Sequence, residues 1–232
     1  MEAHVDGLRI ADEDGWQLCR KELSWQESGE VFAAAVLALE SGDPVKIQSV
    51  LSVAAKTLEL SHGFISALGW LDYQQAEPHI KRLCASSPPA EKRIGIAAAA
   101  IHRKDPGRPL NEAISDPDVF LRARVLRAVG ELGRIDLIPL IQRDLSSENL
   151  NCRFWSAWSI ALRAGYESAI RVLQAVAESP GSYRERGLQM ALRRMNLANA
   201  HSWQRQLARD PQTIRLAVSL RELSATQPKF CG

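Results

Sequence analysis

Apolar residues in this chain recur at three- and four-residue steps, most clearly in the run from Asp116 to Gly133, DPDVFLRARVLRAVGELG. Val125, Leu126 and Val129 follow Arg122 at +3, +4 and +7, the stripe of an amphipathic helix, and Asp116-Pro117-Asp118 supplies a turn and a cap before it. With Arg122 as the reference, arginine returns at Arg93, Arg153, Arg184 and Arg215, with successive spacings of 29, 31, 31 and 31. Turn formers precede each of them: Ser87-Pro88-Pro89, Ser147-Glu148-Asn149, Pro180-Gly181-Ser182 and Asp210-Pro211. Extended backwards, Ala67-Leu68-Gly69-Trp70-Leu71 aligns with Ala128-Val129-Gly130-Glu131-Leu132, so Ser61 takes the reference position and a further step of 31 reaches Glu30.

The register predicts second helices starting near residues 30, 61, 90, 118, 149, 182 and 212. Amphipathic first helices fall between them, near 12–25, 43–58, 75–86, 107–115, 136–145, 167–178 and 197–208, with Pro78 and Pro139 suited to first turns. A hairpin of this size cannot bury its own apolar stripe, so each must stack on its neighbours. The expectation is an all-α solenoid of about seven helical hairpins forming one repeat domain over 1–232, with almost no sheet.

The spacing and the DPDVFLRARVLRAVGELG segment resemble HEAT repeats over about residues 28–224. That resemblance implies a right-handed α-solenoid, a class that hosts scaffolds, inhibitors and a few enzymes. A narrower resemblance rests on Ala3-His4-Val5-Asp6-Gly7-Leu8-Arg9, Gly15-Trp16 and the run from Gly29 to Leu39, GEVFAAAVLAL. These segments are similar to an uncharacterised bacterial HEAT-repeat family encoded near type VI secretion genes. In that family they open the array after a short leader that is not expected here, and its members are often longer, so this chain reads as a short or trimmed member. The resemblance implies a setting, bacterial cytoplasm and contact-dependent secretion, and no reaction.

Charge adds an asymmetry. The net charge of +2 conceals 12 basic and 17 acidic residues up to Asp116, then 17 and 10 beyond it, or −5 and +7. A basic second half permits nucleic acid without requiring it, and solvated helix surface accounts for the same imbalance. Met1 to Asp14 is polar and acidic and does not read as a secretion signal, with Asp12, Glu13 and Asp14 expected as a solvated cluster in an exposed turn. The longest apolar runs, Val31 to Leu39 and Ile94 to Ile101, are far short of the roughly 20 residues a membrane helix requires. A cytoplasmic protein with no membrane partner is expected.

Candidate chemistry is sparse. Cys19, Cys84, Cys152 and Cys231 form no CxxC pair, and His4, His62, His79, His102 and His201 form no HExxH, so no metal site is expected. GxxxxGK[ST], GxGxxG and GxSxG are all missing from the sequence, and neither a cofactor nor a catalytic residue is proposed from it. On a wheel of about 100° per residue, positions +2, +5 and +9 lie opposite the core face. In HEAT arrays the free side of the second helix lines a concave groove. The three later helices carry Arg124, Arg127 and Glu131, then Trp155, Trp158 and Leu162, then Arg186, Gln189 and Arg193 there. Exposed Trp and Arg are common binding hot spots, so this face is the expected partner-binding groove, though the tryptophans could equally pack on neighbouring hairpins. Earlier helices carry Phe32, Ala35 and Leu39, then Gly63, Ser66 and Trp70, then Gly95, Ala98 and His102, a less polar face that is either covered or an apolar groove for a protein partner or self-association. Arg93, Arg122, Arg153, Arg184 and Arg215 sit on the core side and read as a structural ladder rather than a phosphate track, and Asp116 and Asp118 as caps rather than general bases.

The leading expectation is therefore a non-catalytic scaffold, an adaptor, chaperone or immunity-like protein that grips another protein, such as a secretion component or effector. The alternative is a DNA-binding protein related to HEAT-like alkylpurine DNA glycosylases, for which Glu131 is the only acid near the tryptophans by register. A HEAT-like lyase attaching tetrapyrroles to carrier proteins is a third class, singled out by no residue.

Overall fold

The computed structural model describes residues 2–209 and 213–218, and among these every regular element is helical. The chain divides into two compact units, Met1–Ala128 and Val129–Gly232.

The first unit opens with α1 (Glu2–Ile10) and α2 (Asp12–Glu22), followed by a 3-10 turn at Leu23–Trp25. The register did not predict α1, because its polar sequence leaves few apolar positions; Val5 is buried. Asp12, Glu13 and Asp14 form the first turn of α2, where carboxylates meet the positive end of the helix dipole. Next come α3 (Ser28–Ser41), α4 (Pro44–Ala54), α5 (Leu58–Trp70), α6 (Tyr73–Cys84), α7 (Pro89–Ile101) and α8 (Arg108–Ala113). The division between units falls within α9 (Val119–Leu132). Helices α3, α5, α7 and α9 begin within a few residues of the expected second helices. Pro78, expected in a first turn, lies inside α6 instead, because that helix already starts at Tyr73.

Small residues let the second helices approach closely. Ala34, Ala35 and Ala38 of α3 and Ala67 of α5 are fully buried beside Val31, Val36, Phe64 and Leu68. Gly63 marks the tightest approach to α3, since a Cβ built there would stand 2.2 Å from the Ser28 carbonyl oxygen and 2.9 Å from the Phe32 nitrogen. Side-chain caps start several helices. Asp43 Oδ1 accepts from Val45 N at 2.7 Å, Thr57 Oγ1 from Leu60 N at 3.1 Å, and Asp118 Oδ1 from Phe120 N and Leu121 N at 3.0 and 2.8 Å.

In the second unit, the expected helix at 136–145 is α10 (Ile138–Ile141) between 3-10 segments Ile135–Leu137 and Gln142–Ser146, with Pro139 in the first turn of α10. Helices α11 (Leu150–Arg163), α12 (Glu167–Glu178), α13 (Arg184–Arg194) and α14 (Leu197–Leu207) follow. Phe154, Ala157, Ile160 and Ala161 of α11 and Ala169, Leu173 and Ala177 of α12 are fully buried, and α13 adds Leu188, Ala191 and Leu192. The buried Ser156 hydroxyl donates to the Ile141 carbonyl at 2.6 Å, which satisfies both groups away from water. Asn149 and Asn196 cap α11 and α14. Of the seventh second helix, expected from about 212, residues 214–218 are helical; its Asp210-Pro211 turn and residues 219–232 lie outside the described residues.

Candidate functional site

In the first unit α3, α5 and α7 leave an open groove of about 500 Å3, lined by Phe32, His62, Ser66, Gly69, Trp70 and Ile101 among others. Trp70 is 43% exposed and Ile101 51%. The Phe32 and Trp70 rings meet edge to face at 6.0 Å, a geometry that holds both rings at the groove wall. The wheel pointed to Phe32, Ser66 and Trp70. It also pointed to Ala35, Leu39, Gly63, Gly95 and Ala98, and these are buried. The difference has a geometric cause. An ideal wheel gives a helix one packed side and one free side, whereas these second helices have neighbours on more than one side. Gly63 faces the backbone of α3, and Gly95 lies against Leu83 and Cys84 of α6. Ile101 lies off the predicted face and was missed.

The reference arginines bind the turns that precede them. Arg122 Nη1 donates to the Asp116 carbonyl at 2.8 Å, and Arg153 Nη1 makes the same bond, six residues back, to Ser147 at 3.0 Å. Arg93 takes a different partner, its Nη2 donating at 2.9 Å to Ser61 Oγ, the residue at the same position of the preceding repeat. Arg184 is half-buried and Arg215 exposed. Asp116 Oδ1 accepts from Asp118 N at 2.9 Å, which closes the turn.

A second recurring contact, not foreseen from the sequence, lies at helix C-termini. His102 Nε2 donates to the Leu68 carbonyl at 2.8 Å, and Arg163 Nε to the Gly130 carbonyl at 2.7 Å. These donors reach carbonyls in the last turns of α5 and α9, which lack partners within the helix. The Arg194 guanidinium lies over Gly165, whose φ of +66° belongs to the left-handed region that glycine tolerates; a Cβ there would be 2.9 Å from Arg194 Nη2. Arg163 and Arg194 are 31 residues apart, so the repeat period itself carried the signal.

The expected groove residues differ in exposure. In the first unit Arg124 and Arg127 are half-buried. In the second, Glu131 and Trp158 are half-buried, while Arg186, Gln189 and Arg193 of α13 are exposed on one face. Trp155 is only 9% exposed and belongs to an aromatic cluster, 4.9 Å from Phe154, 5.5 Å from Trp158 and 5.8 Å from Tyr183 between ring centroids. It buttresses Trp158 rather than offering a surface of its own. Tyr183 stacks on Phe154 at 4.2 Å and its hydroxyl donates to Asn151 Oδ1 at 2.8 Å, so the cluster's polar tip is satisfied.

Cys19, Cys84 and Cys152 are free thiols in buried positions, and Cys231 lies outside the described residues. Burial pushes the Cys84 thiol up to about 12, with Lys92 opposing weakly, so the nucleophilic thiolate is scarce near neutral pH. Iodoacetamide at about pH 8 is expected to leave Cys84 unlabelled in the native protein and to label it in denaturant, as peptide mass spectrometry would read. Labelling of the native protein as fast as the denatured chain would show that Cys84 is accessible.

Among the described residues no helix is long and apolar enough to cross a membrane. No curated protein matches the chain. Residues 108–193 match the family model for HEAT repeats, and the helical hairpins of the described residues have the fold of an all-α, HEAT-like solenoid.

Proposed function

We propose that this chain is a non-catalytic protein-binding scaffold, an adaptor, chaperone or immunity-like protein of the bacterial cytoplasm in a type VI secretion setting. HEAT repeats commonly mediate protein–protein interactions, and the observation that carries the reading is the apolar groove at Phe32, Trp70 and Ile101. Large side chains are held open to solvent there beside small ones, the arrangement that receives apolar anchors of another chain. Exposed Glu27 and Glu59 precede the groove residues Ser28 and His62 by one and three residues, which suits a partner segment with basic residues around its apolar anchors. The secretion setting is supported by the resemblance of the segments at Ala3–Arg9, Gly15-Trp16 and Gly29–Leu39. The arginine register from Arg93 to Arg215 supports one repeat domain. Arg186, Gln189 and Arg193, with Trp158 backed by Trp155, are a second candidate contact surface within the second unit, and Arg124, Arg127 and Glu131 are further candidates on α9.

The test compares wild type with a Trp70→Ser, Ile101→Ser double variant in affinity capture from nuclease-treated native lysate. Both residues are substantially exposed, so the variant should fold. At least one protein is expected to fall about tenfold in recovery with the variant. Equal recovery of every captured protein by both forms would remove the groove from the interaction. Binding of duplex DNA by the wild type, falling steeply with salt through counterion release, would favour the DNA reading instead.

A further inference from the structure

A second cleft in the first unit, about 320 Å3 in volume, lies where the starts of α5, α7 and α9 come together, lined by Lys56, Leu58, Pro89, Arg93, Asp118 and Phe120 among others. Arg93 is the unusual member. It is only 8% exposed, and among the described residues its guanidinium makes one hydrogen bond, to the neutral hydroxyl of Ser61, and no ion pair. That hydroxyl in turn donates to the Thr57 carbonyl at 2.7 Å, so it cannot supply charge. Burial lowers the Arg93 pKa, and the charge of Asp118, too distant for an ion pair, partly offsets this. A buried cation without a carboxylate partner is costly unless an anion reaches it, and this one borders an open cleft.

The surroundings define the anion. Lys56 is exposed at the rim, and α7 begins at Pro88-Pro89 without a side-chain cap, unlike α5 and α9, so the first-turn amides at Ala90 and Glu91 remain for a ligand. Two negative groups stand near. Asp118 lines the cleft with its Oδ1 accepting from two α9 amides, and Glu91 on α7 accepts from Ser86 Oγ at 2.5 Å. Only Asp118 of the two lines the cleft, so the two cations set against its carboxylate leave room for one negative charge, and a doubly charged phosphate would be set against Asp118. Leu58 and Phe120, 44% and 46% exposed, supply apolar walls.

We propose that this cleft receives an acidic side chain flanked by apolar residues on a partner peptide, with the carboxylate held by Arg93 and Lys56. The proposal rests on the scaffold reading for the origin of the peptide, whereas the chemistry of the cleft is tested with a defined probe. The full-length chain, labelled with 15N, is titrated with acetyl-leucyl-glutamyl-leucinamide, with its glutaminyl counterpart and with inorganic phosphate. The glutamyl peptide is expected to cause saturable shifts at the Ala90, Glu91 and Phe120 amides and at Arg93 Nε–H, and the glutaminyl peptide none. Lys56→Glu, a rim substitution that leaves the fold intact, and Arg93→Met should each weaken glutamyl binding about tenfold, the scale of one charge-assisted contact. Equal binding of both peptides, no saturable shift with the glutamyl peptide, or tighter binding of phosphate would each overturn the proposal. Loss of partner capture in the Trp70→Ser, Ile101→Ser variant reports on the scaffold reading separately.

Discussion

Phe154→Ala is expected to destabilise the second unit by about 4 kcal/mol, the scale of an aromatic-to-alanine truncation in a packed core. Phe154 is fully buried, stacks on Tyr183 at 4.2 Å and meets Trp155 at 4.9 Å. Its removal costs the transfer of the ring and leaves a cavity that rigid aromatic neighbours cannot refill. It also loses two ring–ring contacts, worth about 1 kcal/mol each. Because each hairpin in a repeat array leans on its neighbours, the loss should spread along α11, α12 and α13 first. Hydrogen exchange would show reduced protection in those helices, with a lower urea midpoint. A change below about 1 kcal/mol would mean that the cluster repacks around the gap.

Gly63→Ala sets two effects of opposite sign against each other. Alanine is the better helix former by about 1 kcal/mol, so propensity alone predicts stabilisation of α5. The new Cβ, however, would lie 2.2 Å from the Ser28 carbonyl oxygen and 2.9 Å from the Phe32 nitrogen, both backbone atoms that cannot rotate aside. To relieve that contact α5 must move away from α3, which opens the interface around Val31 and Phe64. Overpacking of this kind costs about 3 kcal/mol, so a net loss of about 2 kcal/mol is expected in chemical denaturation. Gly29→Ala is the matched control. Nothing lies within 4 Å of a Cβ there, so the same substitution should be neutral or slightly stabilising. If both substitutions stabilised, α3 and α5 would not be in backbone contact.

Element type and order were legible because both derive from local chemistry repeated along the chain. The cap residues Asp118 and Asn149 stand one residue before α9 and α11, and the apolar steps after them place the buried side chains Leu121, Val125, Phe154 and Ile160. The recurrence of Arg122 and Arg153 was readable for the same reason, whereas their bonds to the carbonyl six residues back in the same repeat came only from the structure. The site was less legible. Trp155 and Trp158 look alike on a wheel, but Trp155 is buried, with the Tyr183 ring 5.8 Å away, while Trp158 is half-buried.

By itself, then, the sequence determined an all-α repeat array, its period, the caps of several helices and the arginines that recur with it. These properties depend on neighbours a few residues apart or on a period that can be counted. Which side chains remain in water was decided only by the tertiary structure. Ile101 stays exposed beside Trp70 while Ala98, three residues earlier, is fully buried, and Arg93 reaches Ser61 rather than the turn before it. Exposure depends on the approach of helices some 30 residues apart, and a single wheel contains no information about those neighbours.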